Sequence, residues 1–266
     1  MRLRIDLRPE NYHYKIPINY QYPLAGGIYH ILFTGNQEFA NWLHKEGYVL
    51  PNQKKIKLFT FSKLFTKYGK IKDGILQTDG DAYFFFSSPV KEQHITTFVQ
   101  GILSMDNLKI STKRTHTNFQ ISSVNSLEPP EFEEKMKYKM LSPAVASTVR
   151  TNGDKKYIHY YRADEEELPE KLEANLRRKY RLLHGRDYDG KLKITLDRDY
   201  IARKHTSKLV TIKEGHGDQV KVKAFECPVI IEGNEDMQKV AYDCGVGEKG
   251  SLGFGMLGKI NAINSK

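Results

Sequence analysis

The first sixty residues contain histidine, tyrosine and lysine side chains, among them Tyr29, His44 and Lys57, of the types that move protons and balance negative charge. An unperturbed imidazole has a pKa of about 6.5, so His44 is a candidate general acid or base. The phenol of Tyr29 can hydrogen-bond a substrate oxygen, and the ammonium of Lys57 is a compact point charge. His30 competes with His44, although neighbouring helical residues point about 100° apart, so His30 and Tyr29 are not expected to face one substrate atom. The alternative for His44 is a capping or core role.

A second chemical signal is glycine-rich: residues 245–255 contain five glycines in eleven positions. Glycine loses much backbone freedom on folding, so this density needs a reason. Amides between glycines can approach an anion closely, and Lys249 and Ser251 would add a charge and a hydroxyl. The segment follows a predicted helix, whereas Walker A and dinucleotide-binding loops begin one. The alternative is a tight connection packed under a sheet.

The charge balance favours a polyanion as partner. The chain has 42 basic and 32 acidic side chains, a formal net charge of +10 and an isoelectric point near 9.3, which is typical of a nucleic-acid-binding protein. Seven lysines and no acidic residue occur between positions 54 and 72, interleaved with aromatic residues that could stack on bases or fill the core. An ordinary enzyme with a mildly basic surface is the alternative.

Composition also excludes several classes of protein. Hydrophobic residues make up 39% of the chain, and no run approaches the roughly 20 apolar residues of a membrane span. The amino terminus has no apolar signal core, which favours a cytoplasmic location. Cys227 and Cys244 form neither a CxxC pair nor a Cys/His cluster at zinc spacing. We therefore expect reduced core thiols, no bound metal and no other cofactor.

Hydrophobic periodicity predicts an α+β fold of two tandem ferredoxin-like domains with antiparallel sheets. Residues 2–8 alternate as a strand with Arg2 and Arg4 on its exposed face, and two helices follow, the second capped by Asn36. Further strands and a helix complete a β-α-β-β-α-β order. Consecutive prolines at 129 and 130 indicate a linker, so we divide the chain into domains 1–127 and 131–266. In the second domain we expect strands at 192–196, 209–212 and 220–224 and a last helix capped by Asn234.

The chain resembles a known family at several separated motifs. These are GVGEKGSLGFGM at 245–256, YPLAGGIY at 22–29, WLH at 42–44, KLFTFS at 57–62 and LSPAVA at 141–146. Together they resemble the CRISPR repeat-processing endoribonucleases of the Cas-six family, within the RAMP superfamily of repeat-associated RNA-binding proteins. The motifs cover essentially the whole chain, and the resemblance implies two ferredoxin-like domains.

The resemblance implies metal-independent cleavage of CRISPR precursor RNA within its repeats, leaving a 2′,3′-cyclic phosphate and a 5′-hydroxyl. It implies Tyr29, His44 and Lys57 as catalytic residues, although an insertion-like stretch at 48–55 leaves Lys54 and Lys55 as alternative lysines. The implied partners are repeat RNA and other Cas proteins of an interference complex. A non-catalytic scaffold that binds repeat RNA is the alternative. Candidate RNA-binding residues are Arg2, Arg4, Lys54, Lys55, Arg150, Lys155, Lys156, Gly245, Gly247, Lys249, Ser251, Gly253, Phe254 and Gly255.

Overall fold

The computed structural model describes residues 1–49, 55–67, 69–89, 92–105 and 107–260. Among these residues no helix is both long and apolar enough to cross a membrane. The elements of the amino-terminal half are, in chain order, β1 (Arg2–Pro9), β2 (His13–Pro17), α1 (Gln21–Gly35), α2 (Gln37–Lys45), β3 (Tyr48–Val49), β4 (Lys55–Ile56), β5 (Thr60–Phe61), β6 (Lys70–Lys72), β7 (Ile75–Asp79), β8 (Ala82–Ser87), α3 (Glu92–Ser104), β9 (Asn107–Ser111) and β10 (His116–Leu127).

The first sheet has the strand order β5-β8-β1-β10-β9, and its neighbouring strands are antiparallel. Strand β1 is central because it pairs with β8 on one side and β10 on the other. Alternation along β1 buries Leu3, Ile5 and Leu7 in a core shared with α1 and α3. This is the predicted ferredoxin-like plan with β9 as an extra edge strand. A smaller sheet of β2, β7 and β6 was not predicted.

The carboxyl-terminal half contains, in chain order, β11 (Lys135–Met140), β12 (Ser147–Asn152), β13 (Lys155–Tyr160), α4 (Leu168–His184), β14 (Lys193–Leu196), α5 (Arg198–Arg203), β15 (Ser207–Ile212), β16 (Val220–Phe225), β17 (Val229–Glu232), α6 (Glu235–Cys244), a 3₁₀ turn (Gly250–Leu252) and β18 (Leu257–Lys259).

The second sheet has the order β14-β17-β11-β18, which repeats the ferredoxin-like arrangement. Strand β17 was not predicted, yet it is central: its Ile231 pairs with Met136 of β11 and with Ile194 of β14. The strands predicted at 209–212 and 220–224 are present as β15 and β16, but they form a separate hairpin and do not join the sheet. Strands β12 and β13 form another hairpin. The predicted α+β fold with two ferredoxin-like units is confirmed.

The two halves pack together along the segment that carries Lys57. Side chains of this segment enter both cores, because Leu58 belongs to the core of the second half and Phe59 and Phe61 to that of the first. Lys57 therefore lies at the junction of the two units. Strand β10 ends at residue 127 and β11 begins at residue 135, and we place the domain boundary between them.

Candidate active site

Helix α1 places Tyr29 beside the first core. The helix buries Leu24, Ile28 and Leu32 on one face at helical spacing, and the Tyr29 ring packs against the edge of the same core. Burial raises the pKa of the Tyr29 phenol, and the nearby Ser251 side chain only partly offsets the increase. Among the residues that the structure describes, the buried Tyr29 hydroxyl oxygen has no partner in hydrogen-bonding geometry. At neutral pH the phenol is protonated and can donate to a substrate oxygen.

Helix α2 brings His44 to the same place. The helix begins as predicted, because the side-chain oxygen of Asn36 accepts a hydrogen bond of 2.8 Å from the Phe39 amide. His44 lies exposed in the last turn, and its ring meets the Tyr29 ring edge-on, with 5.4 Å between centroids. An exposed imidazole in this position can exchange protons with a substrate and with water.

Lys57 completes the group from the residue that follows β4. Its Nζ lies 4.9 Å from the centroid of the Tyr29 ring. Burial lowers the pKa of Lys57, and the neighbouring charge of Lys55 lowers it further. Lys55 itself donates to the backbone oxygen of Lys45 at 2.8 Å, so its ammonium is bound at the end of α2. Lys54 lies outside the described residues, and Lys57 is the lysine that the structure brings to Tyr29.

The three candidate catalytic side chains thus lie together, because the Tyr29 ring contacts both the His44 ring and the Lys57 ammonium. The competing His30 is exposed one position further along α1. Of these two histidines, it is His44 whose ring contacts the Tyr29 ring among the described contacts. No group of three or more His, Cys, Asp or Glu residues in the described ranges is arranged to hold a metal ion. The arrangement offers a proton-transfer group, a hydrogen-bond donor and a positive charge, which together suit a phosphate undergoing substitution.

The glycine-rich segment belongs to the other half of the molecule and approaches this group of side chains through Ser251. Its glycines are required by close packing of the backbone. Gly245, Gly247, Gly253 and Gly255 are buried, with φ angles between 68° and 79° that favour glycine. A Cβ atom on Gly255 would lie 1.8 Å from the carbonyl oxygen of Val246. These four glycines are buried by the rest of the protein, which disfavours the predicted contacts with RNA; those contacts stay a prediction. The segment is the tight connection that the sequence left as an alternative.

A buried lysine, which the sequence analysis missed, holds this segment in place. Lys179 of α4 is 4% exposed, and its Nζ donates to the carbonyl oxygens of Cys244, Gly245 and Gly247 at 3.2, 2.8 and 3.0 Å. Burial lowers the pKa of Lys179 to about 8, and three carbonyl acceptors favour the charged form. Lys179 lies in a run of basic residues that reads as an exposed helix face, so no local signal marks it.

Comparison with known proteins assigns the family. A family model described as "CRISPR-associated protein Cas6, N-terminal" matches residues 15–125, and one described as "CRISPR associated protein Cas6, C-terminal" matches residues 127–258. The chain is 30% identical over its full length to CRISPR-associated endoribonuclease Cas6 1 of Methanocaldococcus jannaschii, 95% of which is covered. The chain belongs to the Cas6 family.

Further Cas6 relatives support the assignment. The chain is 28% identical to CRISPR-associated endoribonuclease Cas6 of Pyrococcus furiosus, over 97% of this chain and 89% of that protein. A solved structure described as "CRISPR associated protein Cas6" matches with a TM-score of 0.75 at 28% identity, covering 98% of this chain and 99% of that one. A structure of a Cas6-related protein from Pyrococcus furiosus has the same fold, with a TM-score of 0.79 at 22% identity and coverage of 98% and 99%. The resemblance read from the motifs is confirmed.

Two further residues of this Cas6 chain that were predicted to contact RNA, Arg2 and Phe254, have buried side chains, which disfavours a direct contact. Arg2 is 3% exposed, and its guanidinium lies 3.5 Å from the centroid of the Tyr242 ring while donating to the Tyr242 carbonyl oxygen. The alternation of β1 suggested an open face, but α6 of the second half covers this end of it. Phe254 is 1% exposed and packs in a small core with Val145.

The remaining predicted RNA contacts differ in how their charges are held. Arg150 lies 3.2 Å from a carboxylate oxygen of Glu167, and Arg4 lies 2.8 Å from one of Asp6. These two guanidinium groups are therefore partly neutralised within the protein. The predicted contacts whose side chains are exposed are Lys55, Lys155, Lys156 and Lys249, and Ser251 is half-buried beside Tyr29.

Proposed function

We propose that this protein is an endoribonuclease that cleaves CRISPR precursor RNA within its repeats, without a metal ion, leaving 2′,3′-cyclic phosphate and 5′-hydroxyl ends. The convergence of Tyr29, His44 and Lys57 carries the proposal. Family membership supports it, since the relatives at 30% and 28% identity are named CRISPR-associated endoribonucleases. The net charge of +10 suits an RNA substrate.

The proposed reaction uses a nucleophile that the RNA itself carries. The ribose 2′-oxygen loses its proton and attacks the neighbouring phosphorus, and the bond from phosphorus to the 5′-oxygen breaks as that oxygen gains a proton. The protein has to align the attacking and leaving oxygens, move the protons and stabilise the extra charge on phosphorus. No water molecule, metal ion or redox partner enters this balance.

Each member of the group has a role that follows from its surroundings. His44 is the proton-transfer group, because its imidazole is exposed and in contact with the Tyr29 ring; such catalysis contributes about 10²- to 10⁴-fold. Tyr29 stays protonated at neutral pH, and after a side-chain rotation that exposes its buried hydroxyl it donates to the 2′-oxygen or to a phosphate oxygen. Lys57 places its ammonium next to the same site and balances charge on the phosphorane.

The direct test is cleavage of the repeat RNA from a CRISPR array of the same genome, in single turnover with excess EDTA. Labelled repeat should be cut at one position to a product with a 2′,3′-cyclic phosphate. A single 2′-deoxy substitution at the scissile nucleotide should abolish cleavage and leave the dissociation constant within about threefold. The matched control is the same substitution two nucleotides away, which should still be cleaved.

Three outcomes contradict parts of the proposal. Cleavage of the RNA with a deoxy scissile nucleotide would exclude the 2′-oxygen as nucleophile. A requirement for magnesium would exclude the metal-independent mechanism. Tight binding without cleavage would leave a non-catalytic scaffold for repeat RNA.

We further infer that the protein acts in the cytoplasm together with other Cas proteins of an interference complex. Copurification of the protein with partner Cas proteins from cell extract tests this inference. Recovery of the protein without any Cas partner would contradict it.

A further inference from the structure

A groove lies beside the proposed active site, between helix α4 and the glycine-rich segment. Its volume is about 340 Å³, at the small end of the range of about 300–1,000 Å³ found for ligand sites. Lys57 and Ser251 both line it, and both also lie next to the Tyr29 ring or hydroxyl. A molecule in the groove would therefore be a direct neighbour of one bound at Tyr29.

The groove is strongly cationic. Its basic lining residues are Lys55, Lys57, Arg178, Lys179 and Lys249. The lining also includes the carboxylate of Glu248, which accepts a hydrogen bond of 2.6 Å from the hydroxyl of Ser147. A concave surface with this excess of positive charge favours a ligand that carries phosphate.

Two polar atoms of the α4 wall have no hydrogen-bond partner in the described chain. They are Oδ1 of Asn175, a residue that is 5% exposed, and Nε of Arg178. Residues three apart on a helix share a face, so the two side chains lie together. Leaving buried polar atoms unpaired costs free energy, and the adjacent Lys179 shows that the same helix can satisfy a buried polar group completely.

We propose that this groove binds the nucleotide next to the scissile phosphate and that Asn175 and Arg178 read its base. The proposal rests on the proposed function. Lys57 and Lys249 neutralise the phosphates on either side, while the amide oxygen of Asn175 and the Nε–H of Arg178 form an acceptor and a donor for one base edge. Both residues line the groove, and the proposal includes a side-chain rotation that turns each unpaired atom toward the ligand. A paired donor and acceptor distinguish among bases, because the wrong edge leaves them unpaired again.

The test is a substitution scan of the repeat RNA, with each position changed to the other three bases. Binding is measured by fluorescence anisotropy, using RNA with a 2′-deoxy scissile nucleotide. At one position adjacent to the cleavage site, the wild-type protein should prefer one base by about 5- to 100-fold. Asn175→Leu, which keeps the branched shape and the number of side-chain heavy atoms but removes the amide, should reduce that preference to less than about twofold and leave preferences elsewhere unchanged.

A second pair of variants protects the test from a folding defect. Arg178→Lys keeps the charge and removes the Nε–H donor, so it should lose the base preference while retaining most of the overall affinity. Arg181→Lys is the matched control, because Arg181 is on the same helix, pairs with Asp187 and is outside the groove lining. The control should bind every RNA as the wild type does. The melting temperature of each variant shows whether it is folded.

The possible results separate the two proposals. Equal binding of all bases at both flanking positions, or a preference that survives Asn175→Leu and Arg178→Lys, would overturn the groove as a base-reading site. If the all-ribose repeat is never cleaved but a base preference still depends on Asn175 and Arg178, the proposed endoribonuclease fails and the binding groove stands.

Discussion

The two halves of the molecule contribute to the proposed active site in opposite ways. The amino-terminal half supplies reactive side chains with access to a substrate: His44 is exposed in a final helical turn, and Lys57 follows the end of a strand. The carboxyl-terminal half supplies a fixed wall of buried glycines, held by the Lys179 ammonium on three carbonyl oxygens. The dense motif therefore shapes the backbone, whereas the chemistry depends on a few scattered side chains.

The largest expected effect is on catalysis in the first half. His44→Ala should lower the single-turnover cleavage rate by about 10²- to 10⁴-fold, because the proton-transfer group is lost. The exposed position of His44 means that the melting temperature and the affinity for 2′-deoxy RNA should stay close to those of the wild type. His30→Ala is the matched control and should cleave within about twofold of the wild-type rate. A reversed pattern would transfer the role to His30.

Substitutions in the glycine-rich segment of the second half should lower the stability of the fold and not only the cleavage rate. Gly255→Ala places a Cβ atom 1.8 Å from the Val246 carbonyl oxygen at a φ of 78°, so the free energy of unfolding should fall by about 3–5 kcal/mol. Gly153→Ala is the control: its φ is 57°, but no atom lies within 4 Å of the added Cβ, and the cost should be about 1 kcal/mol. Urea unfolding measures both values. Equal costs would show that the glycine segment is not set by packing.

The sequence predicted most of the fold because its strongest patterns are local. The alternation of β1, the Asn36 cap and the Asn234 cap each follow from the spacing of apolar and capping residues. Convergence of Tyr29, His44 and Lys57 came from the family resemblance, since no local pattern relates residues on separate elements. Among the described lysines the structure brings Lys57 to the Tyr29 ring, whereas Lys55 is bound at the end of α2, so Lys57 stays the proposed catalytic lysine.

The errors share one physical cause, which is that burial by a distant element leaves no mark on the local sequence. Arg2 alternates like an exposed residue, and only the packing of α6 covers it. The short strand β17 lies between Pro228 and Gly233 and was not predicted, although it is central to the second sheet. Lys179 and Asn175 are polar residues in a charged helix whose inward direction depends on the glycine segment they face.

Lys179 offers a way to sharpen the comparison within the second half. Lys179→Met leaves three buried carbonyl oxygens without their donor, so the free energy of unfolding should fall by roughly 2–3 kcal/mol at pH 7. The cleavage rate of Lys179→Met should fall, because the glycine-rich segment beside Tyr29 is displaced. The folded variant should keep part of the base preference in RNA binding.

The pH dependence isolates the buried ammonium. Burial lowers the pKa of Lys179 to about 8 in the folded protein, below its ordinary value of 10.5. Between these two values the unfolded chain holds a proton that the folded chain has released, so this group makes stability rise with pH over that window. The difference in unfolding free energy between wild type and Lys179→Met should therefore grow from pH 8 to about pH 10. If the unfolding free energies of the two proteins change with pH in parallel, the pKa of Lys179 does not differ between the folded and unfolded states, and the prediction is wrong.

The smallest expected effect concerns the charge that the first half brings to the phosphate. Burial and Lys55 lower the pKa of Lys57 below 10.5, so the cleavage rate should begin to fall at a lower pH than an ordinary lysine would give. Lys57→Arg keeps a positive charge to higher pH, because guanidinium has a pKa above about 12. Its rate at neutral pH should drop severalfold, since the planar group fits the site differently, but its alkaline decline should move upward. Rates are measured in single turnover from pH 7 to 9.5, with RNA lacking protein as the control for spontaneous cleavage. If the alkaline decline is unchanged in Lys57→Arg, another group loses its proton in that pH range. The proposed role of Lys57 as the positive charge beside Tyr29 would then belong to a different residue.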